Sequence, residues 1–257
     1  MAEMDQNQLS AWVASVMLLS LRIGPVFVFA PPFTLTRAPR IVLALFAVGL
    51  AAALVSGRPG AIVTVGGNGD LALLGAREAL LGGLPVLTLN LMFGALYWAG
   101  RTIDIQAGFG LALLIDPATR NQTPLIGTLF AYLAGAIFFA VGGHHELLRY
   151  FAASLDIVPL GGTVDLASSA ETVARYAALQ FATAIGVGGG VILVLMIADM
   201  GVAILSRTVP QLNALLLGVQ VKTLLMLVAL AASLPVAQML MLRMVSANFT
   251  ALAALGS

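Results

Sequence analysis

Apolar residues gather along this chain in long runs, and the few charged residues stand mostly in the gaps between them. Runs at or near the ~18 residues that mark a bilayer span recur from one end to the other. The first goes from about Trp12 to Ala30 and stops at Pro31-Pro32. A second, Ile41 to Val55, follows Pro39 and is short for a full span. The third, Leu71 to Trp98, contains Pro85, where a kink is expected. The fourth is Leu125 to Val141, closed by Gly142-Gly143. A long fifth run covers Tyr176 to Leu205, and a sixth covers Leu212 to Leu234. Beyond Pro235 an apolar tail, Val236 to Leu255, is interrupted by Arg243 and Asn248 and either extends the sixth helix or lies at an interface. The pattern predicts an all-α, polytopic membrane protein.

Composition narrows the function classes. The chain is 60% hydrophobic and 9% charged. A soluble domain of this length needs charged faces on its outer helices, and the residues for them are missing. A net charge of +1 and scattered arginines leave no basic surface for nucleic acid and no polybasic patch for anionic lipid. Without cysteine there are no disulfides, thiolate nucleophiles or cysteine-based metal sites. The stretch from Met1 to Ser10 carries Glu3 and Asp5 but no basic residue. A cleavable signal has a basic leader, so the first run is expected to be a retained membrane helix. Arg37 and Arg40 in the first connection and Arg207 in the fifth stand without acids, whereas the fourth holds Glu146, Asp156, Asp165 and Glu171 against Arg149 and Arg175. Basic connections prefer the cytoplasm, which orients the N-terminus and the fourth connection outward.

Residues 101–124 are the least ordinary part. Asp104, Gln106 and Asp116 flank an apolar core too brief to span, loosened by Gly108 and Gly110 and bounded by Pro117 and Pro124. Such a segment is either a surface loop or a non-helical insert held inside protein at membrane depth, where protein or a water-filled cavity must satisfy its backbone. Elsewhere the candidates for chemistry are thin. His144-His145-Glu146 lacks the second histidine four residues on that a His-Glu-x-x-His zinc site needs, so it reads as a polar loop beginning the next element after a Gly142-Gly143 turn. Gly218 to Lys222 and Thr223 lack the second glycine of a phosphate loop and lie within an apolar run. No cofactor is expected. Gly186 and Gly190 make a G-x-x-x-G face suited to close helix packing. Asp199 and Lys222 are the ionisable residues well inside the last two runs, and charges at such depth pair or face a polar cavity. In a hairpin turning at Arg207 to Pro210 they would lie about 12 and 18 Å from the turn, an offset of about 6 Å that a lysine chain can bridge. A structural ion pair is one reading and a proton relay the other, and against the relay stands the lack of a chain of further acids around the two.

Four stretches in order carry a resemblance. They are Arg22-Ile23-Gly24 with Ala30-Pro31; Ala99-Gly100 through Gln106 to Gly108, then Asp116-Pro117; Gly142-Gly143-His144 followed by Leu147-Leu148, Ser154 and Pro159; and Ser206-Arg207 with Pro210-Gln211, Gly218 and Lys222. Together they resemble, nearly end to end, the flagellar export-gate FliR family and its counterparts in type III secretion injectisomes. Departures from the family pattern fall at Arg101, Leu111, Leu114 and Gly190.

The resemblance implies helical hairpins, with a FliP-like part over 1–170 and a FliQ-like hairpin and tail over 171–257. It implies a non-enzymatic subunit of the bacterial inner membrane, within the flagellar basal body, that helps form and gate a channel for unfolded substrates. FliP-like and FliQ-like gate subunits and FlhB-like and FlhA-like export proteins would be its partners. The family's plug would map onto Gly108, Phe109, Gly110, Leu111, Leu113, Leu114, Ile115, Asp116 and Pro117. From the residues alone a small polytopic secondary transporter stays open, since a broken third segment and a glycine-rich insert are familiar at transport sites. Against it stand the lack of an internal repeat and the scarcity of midplane charges. An intramembrane enzyme lacks any nucleophile–base or metal constellation.

Overall fold

A computed structural model describes residues 6–36, 38–63, 68–109, 123–162, 166–208 and 214–255. Among these the secondary structure is helical throughout, without strands. The α-helices are α1 (Gln6–Phe29), α2 (Arg40–Ser56), α3 (Asn68–Gln106), α4 (Leu125–Ala140), α5 (Gly143–Ile157), α6 (Leu166–Thr208) and α7 (Ala214–Leu255). Wherever it is described, each apolar run of the sequence lies inside one helix to within a residue or two.

The helices overrun the apolar runs. α6 begins at Leu166 rather than near Tyr176, because alanines with Glu171 and Arg175 sustain a helix although they are too polar for an apolar window. α1, α3 and α7 pass Pro25, Pro85 and Pro235 as single elements, so the tail beyond Pro235 continues the helix that starts at Ala214. In long apolar helices the backbone groups that proline frees are re-satisfied by neighbours and local adjustment. At α5, Gly142 takes a left-handed conformation (φ 76°) as the residue before the first turn. His144, His145 and Glu146 therefore open a helix, which buries Leu147, Phe151, Ser154 and Leu155 along one face.

α1, α3, α6 and α7 are long and apolar enough to cross a membrane, and α4 with α5 makes a fifth crossing if the two are one broken span. Half of the most apolar window of α3 is buried inside the chain, but only 28% of that in α6 and 22% of that in α7. Most residues in those stretches of the last two helices are thus not fully buried by the chain's own residues. This is an all-α polytopic membrane protein.

Two compact units partition the chain. One comprises Met1–Leu91, Phe138–Ala177 and Ala247–Ser257, and the other Met92–Ile137 and Ala178–Ser246. The core of the first is built from Leu18, Leu19, Ile23 and Val26 of α1 and from Leu147 and Phe151 of α5, all sealed from solvent. Beside it Phe27 and Phe33 meet at 4.7 Å between ring centres, and Phe138 lies 6.4 Å from Phe33 and 5.9 Å from Phe249. The second unit buries Leu96 and Ile103 of α3, Ala134 of α4, Val191 and Leu195 of α6, and Met226 and Met241 of α7.

Candidate functional site

Polar side chains inside apolar helices mark where the fold is pinned, and each unit holds such a cluster. In the first, Arg22 of α1 and Glu78 of α3 form a two-pronged ion pair, Nε to Oε2 at 2.6 Å and Nη2 to Oε1 at 3.1 Å. Arg22 Nη1 also donates to the carbonyls of Ser154 and Val158, at 3.1 and 2.9 Å. Glu78 Oε1 accepts the Gly161 N–H at 2.8 Å, and Arg77 donates to the Gly161 carbonyl at 3.1 Å. α1, α3 and the exit from α5 are therefore tied at one buried point. The helices also close tightly there: a Cβ at Gly82 would overlap the Arg22 carbonyl.

Sequence reasoning missed Glu78. The hydropathy window averages it away among its neighbours, yet a signal was present. An Arg inside one apolar run and a Glu inside another are the ionisable pair that a membrane protein buries together.

The second unit holds the candidate charges and the root of the candidate plug. Asp104 is buried near the end of α3, and its carboxylate accepts the N–H groups of Ile126 (3.0 Å) and Gly127 (3.3 Å). The first amides of a helix have no partner within it, so Asp104 caps α4 from another element. A cap of this kind contributes about 0.5–2 kcal/mol. Backbone closeness reinforces it, since a Cβ at Gly100 would sit 2.5 Å from the Gly127 Cα. Two residues on, Gln106 Nε2 donates to Asp199 Oδ2 at 2.8 Å. Lys222 Nζ is ion-paired with Asp199 Oδ1 and donates to the Gln106 carbonyl at 3.4 Å. The structure thus brings Asp199 and Lys222 together, and adds Gln106, which spacing alone did not connect to them.

The other sequence candidates are placed as follows. Gly108 is left-handed (φ 93°), a conformation glycine adopts without strain, and Phe109 is half-buried. Gly110, Leu111, Leu113, Leu114, Ile115, Asp116 and Pro117 lie outside the described residues. Gly186 and Gly190 are both exposed within the chain. A Cβ on Gly186 would meet Leu240 Cδ1 at 3.2 Å, and one on Gly190 would meet nothing within 4 Å. Between them Gly188 is buried against Ala99 and Ile103 of α3. The rings of His144 and His145 lie 4.0 Å apart between centres, tilted by 41°, and among the described residues no group of three His, Asp or Glu side chains is placed to hold a metal.

Comparison with known proteins gives the chain's family. The family described as bacterial export proteins, family 1, matches residues 13–247. The flagellar biosynthetic protein FliR of Bacillus subtilis (strain 168) is 31% identical over 216 residues, 80% of this chain and 80% of the relative. The surface presentation of antigens protein SpaR of Shigella flexneri is 27% identical over 230 residues, 84% of this chain and 86% of the relative. The Yop proteins translocation protein T of Yersinia pestis is 29% identical over 157 residues, 60% of this chain and 59% of the relative. With the family matched over most of its length, this chain belongs to the bacterial export proteins of family 1.

Proposed function

We propose that this chain is an integral membrane subunit of a bacterial type III protein export gate, where it helps form and gate the channel for unfolded protein substrates. The observation that carries the reading is the family match over residues 13–247. Its relatives include a flagellar biosynthetic protein, a surface presentation of antigens protein and a translocation protein. The incompletely buried apolar helices α6 and α7 agree with it, because such faces meet lipid or a neighbouring subunit in a membrane complex. A small secondary transporter is not favoured, since the relatives are export proteins.

In its finer form the proposal places the chain in the inner membrane, within a flagellar basal body, in a structural and gating role without catalysis. FliP-like and FliQ-like subunits are its immediate partners and FlhB-like and FlhA-like proteins its further ones. Residues 1–170 form the FliP-like part and 171–257 the FliQ-like hairpin and tail. The stretch from Gly108 to Pro117 serves as the seal.

Extraction of the tagged chain in mild detergent, after coexpression with FliP-like and FliQ-like proteins, tests the reading. One stable complex containing all three is expected. Recovery of the chain alone, at normal abundance of the other two, overturns it.

A further inference from the structure

We propose that Gln106 is a positioning residue through which the Asp199–Lys222 pair fixes the end of α3, and with it the point where the chain departs into the segment starting at Ala107. Three helices supply one residue each: α3 gives Gln106, α6 gives Asp199 and α7 gives Lys222. Gln106 Nε2 bonds one carboxylate oxygen of Asp199, Lys222 Nζ pairs with the other, and Lys222 reaches back to the Gln106 carbonyl. The three interactions close a ring, so none of the helices shifts there without breaking two of them.

The residue types suit the task. Gln106 ends α3, and the last carbonyls of a helix have no partner inside it and carry the negative end of its dipole. Lys222 supplies the cation that end favours. Asp199 balances a charge that would otherwise stand unpaired in an apolar run. An ammonium has three donors and a carboxylate two oxygens, so the pair has capacity left over after joining α6 to α7. Gln106 uses that capacity with both its side chain and its backbone. A pair whose sole task was to close the hairpin would need neither contact.

A second anchor stands just before it on the same helix. Asp104 holds the first amides of α4, so the described residues on both sides of the 107–124 segment are tied by buried or half-buried polar groups. The consequence for sealing rests on the gate reading above. The clasp itself does not.

The chain has no cysteine, so a single one introduced at half-buried Phe109 reports how firmly the end of α3 is held, through its rate of maleimide labelling in the full chain purified in mild detergent with whatever partners it retains. Gln106→Ala should speed labelling about tenfold, the change in open population that goes with losing a hydrogen bond to a charged group. Gln106→Glu and Asp199→Asn should each speed it too. Combined, they exchange the acid and the amide while leaving Lys222 beside one carboxylate, and labelling should return to within about twofold of the starting rate. Unchanged labelling in Gln106→Ala overturns the proposal, as does a double exchange no slower than the faster single. If Gln106→Ala does not accumulate, the exchange series decides alone. Ion leak, followed in parallel, separates the two readings: a complex that stays tight after deletion of residues 110–115 sinks the sealing role, while the labelling rates decide the clasp in either case.

Discussion

Arg22 and Glu78 meet Nε to Oε2 at 2.6 Å across 56 residues of sequence, with 2% and 0% of their side chains exposed. Taking two charges out of water is costly, and removing one partner leaves the other buried without compensation. Arg22→Ala or Glu78→Ala is therefore expected to cost about 3–5 kcal/mol, a large part of a typical folding stability. Arg22→Met with Glu78→Leu should be milder than either single change. It should not be neutral, because the Val158 carbonyl and Gly161 N–H also lose their partners. Thermal melting of the detergent-solubilised chain and its abundance in membranes check the order. A double change as damaging as the worse single would mean that lost charge balance is not what matters.

Two glycines of α3 are set by backbone closeness rather than by flexibility. A Cβ on Gly82 would lie 2.9 Å from the Arg22 carbonyl carbon, and one on Gly100 would lie 2.5 Å from the Gly127 Cα. Backbone cannot step aside as a side-chain tip does, so Gly82→Ala and Gly100→Ala should each cost about 1–3 kcal/mol. At Gly83 and Gly94 of the same helix an added methyl carbon would meet nothing within 4 Å. Gly83→Ala and Gly94→Ala should be neutral, or stabilising by up to about 1 kcal/mol through helix propensity. Melting temperatures of the four variants separate the pairs, and equal effects would show that the close approaches do not limit packing.

How much was legible in the sequence depended on the kind of signal. Long apolar runs mark helix interiors reliably, because burying or lipid-facing a helix demands them over its whole length. Ends are less visible: the Leu166–Arg175 turns of α6 are helical through backbone hydrogen bonding and propensity, which hydropathy does not read. Proline at 235 looks like a stop, yet the helix continues through it. Asp199 and Lys222 stood out as lone charges in runs, whereas Glu78 was hidden beside Arg77 near the polar start of its run. Gln106 stood out only as one polar residue of the 101–124 segment, with nothing to join it to Asp199 or Lys222, since a neutral amide near a helix end gains its partners from what other helices bring to it.

Asp199 and Lys222 should behave as partners in a double-mutant cycle. Lys222 is 17% exposed and Asp199 41%, so water screens part of the attraction and a coupling of about 1 kcal/mol is expected. Lys222→Ala should impair assembly more than Asp199→Ala. It leaves the Asp199 charge facing the negative end of α3, whereas the reverse change leaves Lys222 with the Gln106 carbonyl. The double change should do less harm than the sum of the two. Additive effects on complex yield would show that the residues act independently.

Gly186 and Gly190 lie one turn apart on α6, exposed within this chain. Small residues let a neighbouring helix backbone come close, and leucine there holds it off. Gly186→Leu with Gly190→Leu is expected to block assembly with the export-gate partners while leaving the protein inserted in the membrane. The chain's own packing is spared at Gly190, and at Gly186 the nearest atom is the tip of Leu240. Normal copurification of the double variant would remove this face from the interface.

The seal is the remaining test, and it concerns Gly110 to Ile115. In the sequence Phe109, Leu111, Leu113, Leu114 and Ile115 are all apolar, as a closure that excludes water and ions without a charge partner would require. Gly108 is left-handed, and in the sequence the further glycine at 110 and the Asp116-Pro117 pair suit a stretch that a passing chain would have to displace between fixed ends. A plain connector would instead keep polar residues outward and tolerate change. Deletion of Gly110 to Ile115 removes the apolar surface but not the anchors, because Asp104, Gln106, Asp199 and Lys222 all lie outside it. The complex should therefore assemble in normal yield and leak small ions or solutes when reconstituted or expressed in cells. Leak equal to that of the unmodified complex, in a deletion variant shown to be assembled, would place the seal elsewhere. Loss of assembly would show that the segment holds the subunits together, and the apolar residues would then be read as packing rather than as a closure.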